Sequence, residues 1–345
     1  MINRQNWQLT KKYLDYRLRV DQVSRPSMEK EKTHLRYALE WAQETTFQKA
    51  SEVAPSFPQF LLTSRLDGFA GRLSVVYIKK ILSTVRLFFT WLSDNQTGYK
   101  HIKQAWIKTI KVKRLSDMPK NKESVSFEEI QVIASAPVRT IQERRARAGL
   151  VFLYLSGMRI GAFVSMPVEA VDISNRCVNQ NPALGVRTKN GKAAKTYLLD
   201  IPELLKVVQN WDDEVRAYGG LWFASLSFAT GEIVLQDAGE HRKNLARRNF
   251  RDWLSSVGLP YHSPHKFRHG HIHYGLKRSK NIADFKAVSL NVMHSTVQIT
   301  DQFYSILSDN EVRERIESMG KENSSSDDFM ESIRILLEQH KKNDP

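Results

Sequence analysis

Pro264-His265-Lys266-Phe267-Arg268-His269 is the stretch from which the fold and the chemistry of this chain can be read. Proline is at home in the first turn of a helix, where its missing N–H costs nothing. A histidine and an arginine three residues apart then share one helix face. The guanidinium can grip two phosphate oxygens at once, and the imidazole can accept or donate a proton near neutral pH. Upstream, Leu155-Ser156-Gly157-Met158-Arg159 ends an apolar run with a glycine suited to a tight turn, which leaves Arg159 free to face a cleft. Downstream lie Met293-His294 and Thr300-Asp301-Gln302-Phe303-Tyr304. A phenol is a weak nucleophile unless nearby cations stabilise its phenolate, and two arginines would do so. Between these stretches, Val186 to Lys192 and Thr196 to Ile201 are expected to form two strands around an Asn190-Gly191 turn. Lys189 at that turn is a candidate general acid for an alkoxide leaving group, and Lys192 and Lys195 on the same segment are alternatives.

Arginine, lysine, His-x-x-Arg, histidine and tyrosine in that order resemble the tyrosine recombinase and phage integrase family. The likeness runs from about residue 24 onward. It implies catalytic roles for Arg159, Lys189, His265, Arg268, His294 and Tyr304. It also implies a helical core-binding domain and a mixed α+β catalytic domain closing as a C-shaped clamp on duplex DNA. The implied activity is site-specific recombination through a 3′-phosphotyrosyl intermediate, without metal, ATP or other cofactor. Such an enzyme acts as a homo-oligomer, a tetramer on paired sites, and typically serves a mobile genetic element. Three positions depart from the family pattern. Ala162 stands where an acid is frequent, Met293 stands where glycine usually precedes the histidine, and the step from His294 to Tyr304 is one residue longer than common. These departures keep open a non-catalytic DNA-binding protein of the same fold. A type IB topoisomerase-like DNA-relaxing enzyme would share the chemistry.

Charge points to the same partner. The 345 residues carry a formal net charge of +15, an excess that usually serves a polyanion. Lys79, Lys80 and Arg86 lie off the apolar stripe of one helix, and Lys111, Lys113 and Arg114 fall in a basic stretch. Arg242, Lys243, Arg247 and Arg248, with Arg251 beyond, form a cluster on a helix expected to bury Leu245, Trp253 and Leu254. All are candidate DNA contacts. The lone Cys177 makes neither a disulfide nor a cysteine-rich zinc site, and His269, His271 and His273 would not converge from a helix, so no metal is expected. The start has no apolar core of signal-peptide length and no apolar run approaches a bilayer span. The expectation is a cytoplasmic protein associated with DNA and not with a membrane.

The pattern along the chain is mainly α with a small β-sheet or hairpin. Ile78, Leu82, Val85, Phe89 and Leu92 form one helical stripe, with Ile81 and Phe88 beside it. Ser126 and Glu129 read as a capping box, and a further helix is expected from Ile141 to Ser156. The domains expected are 1–110, helical and DNA-binding; 111–123, a basic linker; 124–320, catalytic; and 321–345, a polar break followed by a helix bearing Phe329, Ile333, Leu336 and Leu337, which packs on its own domain or, as the resemblance implies, docks on a neighbouring protomer.

Overall fold

The computed structural model describes residues 1–112, 123–227, 229–235 and 239–293. His294, Tyr304, Lys113, Arg114, most of the basic stretch and the expected terminal helix lie outside the described residues. The chain divides into two compact units, Met1–Lys120 and Asn121–Pro345.

The first unit is helical: α1 (Arg4–Arg19), α2 (Arg25–Ala42), α3 (Phe57–Thr63), α4 (Val75–Asn95) and the single turn α5 (Gln104–Ile107). Each long helix opens on a residue that fits its start. Asn3 accepts from the amides of Gln5 and Asn6, Ser74 accepts from that of Tyr77, and Pro26 occupies the first turn of α2. The α4 stripe faces inward, with Ile78, Ile81, Leu82, Val85, Phe88, Phe89 and Leu92 all buried. The core is aromatic, and edge-on rings hold it: Phe47 meets Phe88 and Phe89 at 5.4 Å, and Tyr13 meets Phe88 at 5.3 Å. Lys79, Lys80 and Arg86 are exposed on the outer face of α4, and Lys111 is exposed beyond α5.

The second unit is built around α7 (Ile141–Ser156), which is buried almost all round from Arg145 to Ser156. The other described α-helices and strands are α6 (Phe127–Ser135), α8 (Ile160–Phe163), β1 (Val171–Asp172), β2 (Cys177–Gln180), β3 (Ala194–Tyr197), α9 (Pro202–Arg216), β4 (Ser225–Leu226), β5 (Ile233–Val234), α10 (Arg242–Ser256), α11 (Pro264–Arg278) and α12 (Ile282–Asn291). Helices α6, α9, α10 and α11 pack around α7. A helix so enclosed must be apolar on every side, which is why its run from Leu150 to Leu155 has no polar stripe. Close approach needs small residues. A Cβ on Gly270 of α11 would stand 2.3 Å from the Val125 carbonyl oxygen and 2.7 Å from the Tyr154 ring, so only glycine lets α11 lie this near α7. The capping box at α6 forms as its spacing predicts, with Glu129 N bonded to Ser126 Oγ at 3.1 Å and Ser126 N to a Glu129 carboxylate oxygen at 2.7 Å. The other Glu129 oxygen lies 3.0 Å from His262 Nε2 and ties α6 to the segment that leads into α11.

The small sheet is arranged differently from the sequence expectation. β1, β2 and β3 form an antiparallel sheet in that order, with Val178 opposite Thr196 and Gln180 opposite Ala194. Residues 186–189 form no strand. Asn190 and Gly191 both take positive φ, +61° and +65°, as a tight turn requires, but the strand after the turn pairs with β2 instead of folding back on the segment before it. Val186 is buried and Arg187 N donates to Ser165 Oγ at 2.7 Å, so that segment is tied to the turn after α8. Beyond α9, β4 and β5 pair as a second small sheet.

Candidate active site

Two arginines meet where α7 ends. Gly157, with φ +63°, closes α7 in the left-handed region and turns the chain so that Arg159 precedes α8 in extended conformation. A Cβ at Gly157 would lie 2.6 Å from the His271 ring, so the turn needs glycine for space as well as for φ. Arg268, one turn into α11, reaches across and donates from Nη1 to the Gly157 carbonyl at 2.6 Å and from Nη2 to the Val292 carbonyl. Arg159 Nη2 stands 3.5 Å from the Met293 carbonyl, at the limit of hydrogen-bond reach. Both guanidiniums are therefore held by main-chain oxygens of the segment that leads into His294.

The electrostatics follow from this arrangement. Arg268 is 3% exposed. Burial, and then the neighbouring charge of Arg159, lowers its pKa to about 9, so it remains a cation at neutral pH. Arg159 is half-buried, and desolvation lowers its pKa too. Carbonyl dipoles hold these side chains without cancelling their charge. Two forked donors of the kind that fit phosphate are thus brought together here.

The remaining sequence candidates are spread around this pair. His265 is exposed in the first turn of α11, and its ring lies 4.3 Å from that of His269. Lys189 is exposed on its turn, and Lys192 and Lys195 are exposed further along. Lys243 lies along α8, so that a Cβ on Gly161 would come within 3.5 Å of its ammonium. Arg247 and Arg248 are exposed, and Arg251 stacks on Tyr261 at 4.7 Å.

Arg242 is a correction. It is buried, and its guanidinium donates to the carbonyls of Val164 and Phe223 and to Ser225 Oγ. All three of its guanidinium nitrogens bond inside the protein, so it serves the packing of α10. Leu245, expected inside, is 39% exposed on the same helix, because α10 is rotated to turn Ala246, Phe250, Trp253 and Leu254 inward.

The backbone at Met293 suits the glycine that the family pattern leads one to expect there. It sits at φ +53°, in the left-handed region that favours glycine. Glycine is thus the relaxed residue at this corner, and methionine is strained there. Met293→Gly is expected to stabilise the second unit by about 0.5–1 kcal/mol, the left-handed strain less the entropy that glycine adds to the unfolded chain. Urea denaturation would measure it, and a loss of stability would show that contacts of the methionine side chain outweigh the strain.

Two residues of the site have no motif to announce them. His271, buried on α11, places Nδ1 2.9 Å from the Tyr154 carbonyl. A carbonyl can only accept, so Nδ1 carries the proton and Nε2 is bare. Asn291, the last residue of α12, lies with Nδ2 3.2 Å from that Nε2. Burial holds the His271 pKa down at about 4, which makes a pH test possible. A histidine whose pKa is depressed by folding contributes stability that is complete above its unfolded value, near 6.5, and is lost as pH falls toward 4. His271→Gln should therefore remove part of the fall in unfolding free energy between pH 6.5 and 4, up to roughly 3 kcal/mol from the size of the shift. An unchanged pH slope in parallel denaturation curves would exclude His271 as its source.

The chain resembles known proteins in sequence and in fold. The chain is 25% identical over 239 residues to tyrosine recombinase XerC of Roseiflexus castenholzii (strain DSM 13941 / HLO8), across 67% of this chain and 68% of that one. Among solved structures, its fold resembles that of the Tn1549 transposon integrase in complex with transposon right end DNA, with a TM-score of 0.56 at 14% identity over 93% of this chain and 100% of that chain. It also resembles a lambda integrase dimer bound to a COC′ core site, with a TM-score of 0.54 at 14% identity over 86% of this chain and 76% of that one. No helix among the described residues is long and apolar enough to cross a membrane. Residues 123–311 match the phage integrase family, and the chain belongs to that family, the site-specific recombinases of the tyrosine class.

Proposed function

We propose that this chain cuts and rejoins duplex DNA through a covalent bond between Tyr304 and the scissile phosphate. The observation that carries the reading is the pair Arg159 and Arg268, adjacent, desolvated and held by carbonyl oxygens instead of carboxylates. Two guanidiniums with no carboxylate partner among the described residues call for an anion whose charge grows during the reaction, which is the behaviour of a phosphodiester under attack.

In this reading the Tyr304 oxygen attacks phosphorus and the bond to the 5′-oxygen breaks. A 3′-phosphotyrosine and a free 5′-hydroxyl result. Arg159 and Arg268 take up the charge on the non-bridging oxygens. Lys189, or Lys192 or Lys195 from the same segment, protonates the departing 5′-oxygen. His265 assists proton transfer at Tyr304, and His294 hydrogen-bonds the phosphate. The phosphotyrosine conserves the energy of the broken bond, so reversal by a 5′-hydroxyl of a partner strand needs neither ATP nor metal. Residues 1–110 act as the core-binding domain and 124–320 as the catalytic domain. Lys79, Lys80, Arg86, Lys111, Lys113, Arg114, Lys243, Arg247 and Arg248 supply phosphate contacts. Exchange of two strand pairs uses a tetramer on two sites, joined through the helix in 321–345.

The test is covalent trapping. Purified protein is mixed, in EDTA, with nicked duplexes drawn from DNA flanking its gene and read on denaturing gels. A protein–DNA adduct is the expected result. Salt-dependent binding with no adduct across long flanks would favour a DNA-binding protein that has lost the reaction. Relaxation of supercoiled plasmid with little site preference would favour a topoisomerase-like enzyme.

A further inference from the structure

Asn291, the last residue of α12, joins β3 to α11 beside the arginine pair. The Tyr197 amide can only donate, so the Asn291 oxygen must face it, and Oδ1 accepts from that amide at 2.7 Å. Nδ2 is then turned toward the Tyr197 carbonyl, at 3.0 Å, and toward the bare Nε2 of His271, at 3.2 Å. The side chain of Asn291 thus acts on β3 as a further strand would, bonding both main-chain groups of one residue. Its own carbonyl accepts from Thr196 Oγ1 at 3.1 Å, and that hydroxyl accepts from Gln180 Nε2 at 2.5 Å. The next two carbonyls along the chain, those of Val292 and Met293, receive Arg268 and Arg159. One amide therefore joins β3, whose connection to β2 bears Lys189 and Lys192, to α11 and to the two oxygens that aim the guanidiniums.

We infer that Asn291 is a positioning residue that holds the arginine pair and the lysine-bearing β2–β3 segment in register for the transition state. The inference rests on the proposed phosphotyrosyl reaction. It assigns Asn291 no contact with DNA. Ala at 291 removes all the side-chain bonds. Asp keeps the acceptor for Tyr197 N but sets a second acceptor against His271 Nε2 and the Tyr197 carbonyl.

The experiment compares wild type, Asn291→Ala and Asn291→Asp in single-turnover adduct formation at saturating nicked DNA, with DNA affinity measured separately. The expected result is adduct formation slowed about ten- to hundredfold in both variants, the scale of a small misplacement of reacting groups, with DNA affinity within about twofold of wild type. Unchanged rates would overturn the inference, as would a loss of rate that only tracks a loss of DNA affinity. If Asn291→Ala no longer melts cooperatively, Asn291→Asp decides on the same criteria. If wild type itself forms no adduct, the phosphotyrosyl reading fails, and the pocket is probed with inorganic phosphate instead. The part of phosphate's thermal stabilisation that Arg159→Ala abolishes should shrink in the Asn291 variants, and an undiminished response would overturn the positioning role.

Discussion

Tyr304→Phe is expected to form no covalent DNA adduct, a fall of at least about 10⁴-fold from wild type on the scale seen when an enzyme loses its nucleophile. The phenol oxygen is the atom that bonds to phosphorus, and phenylalanine keeps the ring while removing that atom. Tyr304 is the only tyrosine in the sequence after His294, which leaves no near substitute. DNA affinity should stay within about twofold, because the change removes no phosphate-neutralising charge. Denaturing gels would read the adduct and a salt titration the affinity. An adduct that persists in the phenylalanine variant would move the nucleophile to another residue.

Arg268→Lys should be the second most damaging change, and it should damage two properties at once. Arg268 bridges the carbonyls of Gly157 and Val292 with two separate nitrogens while 3% exposed. An ammonium on a flexible stem keeps the charge but cannot span both oxygens and still face a phosphate. Loss of one preorganised donor to the developing charge should slow adduct formation about 10²–10³-fold. A buried carbonyl left without a donor should lower stability by about 1–3 kcal/mol. Arg159→Lys separates the two effects. Arg159 is half-buried, and its link to the Met293 carbonyl is long at 3.5 Å, so its replacement should cost a similar factor in rate but less than about 1 kcal/mol in stability. Single-turnover rates and urea denaturation measure the pair. An Arg268→Lys enzyme with wild-type rate would remove that arginine from the chemistry.

Much of this site is legible along the chain because its parts are local. A glycine before an arginine marks the end of α7, and proline before His-x-x-Arg marks the start of α11, since caps and helix periodicity depend on neighbours within a few residues. Burial of the α4 stripe follows from the same periodicity. The dipeptide Asn190-Gly191 announces a turn and makes one, with both residues at positive φ. It does not announce a partner: β3 pairs with β2 across a 13-residue connection, 181–193, because β2 offers the edge and the residues before the turn are tied to Ser165.

What the sequence by itself determined is therefore the helices, their caps, the order of the chemical residues and the excess of positive charge. Only the tertiary structure decided which way each cation points. Arg242 and Arg247 are alike in composition and share one helix, yet the first is enclosed by the carbonyls of Val164 and Phe223 while the second is exposed. Tertiary structure also made an asparagine at the end of α12 the link between a strand and a buried histidine, and placed Met293 in a conformation suited to glycine. The physical reason is one of range. Local signals are carried by dihedral preferences and by side chains three or four residues apart. Hydrogen bonds such as that from Asn291 to the Tyr197 carbonyl, or from Arg268 to Gly157, join residues about a hundred positions apart and exist only once the core around α7 has closed.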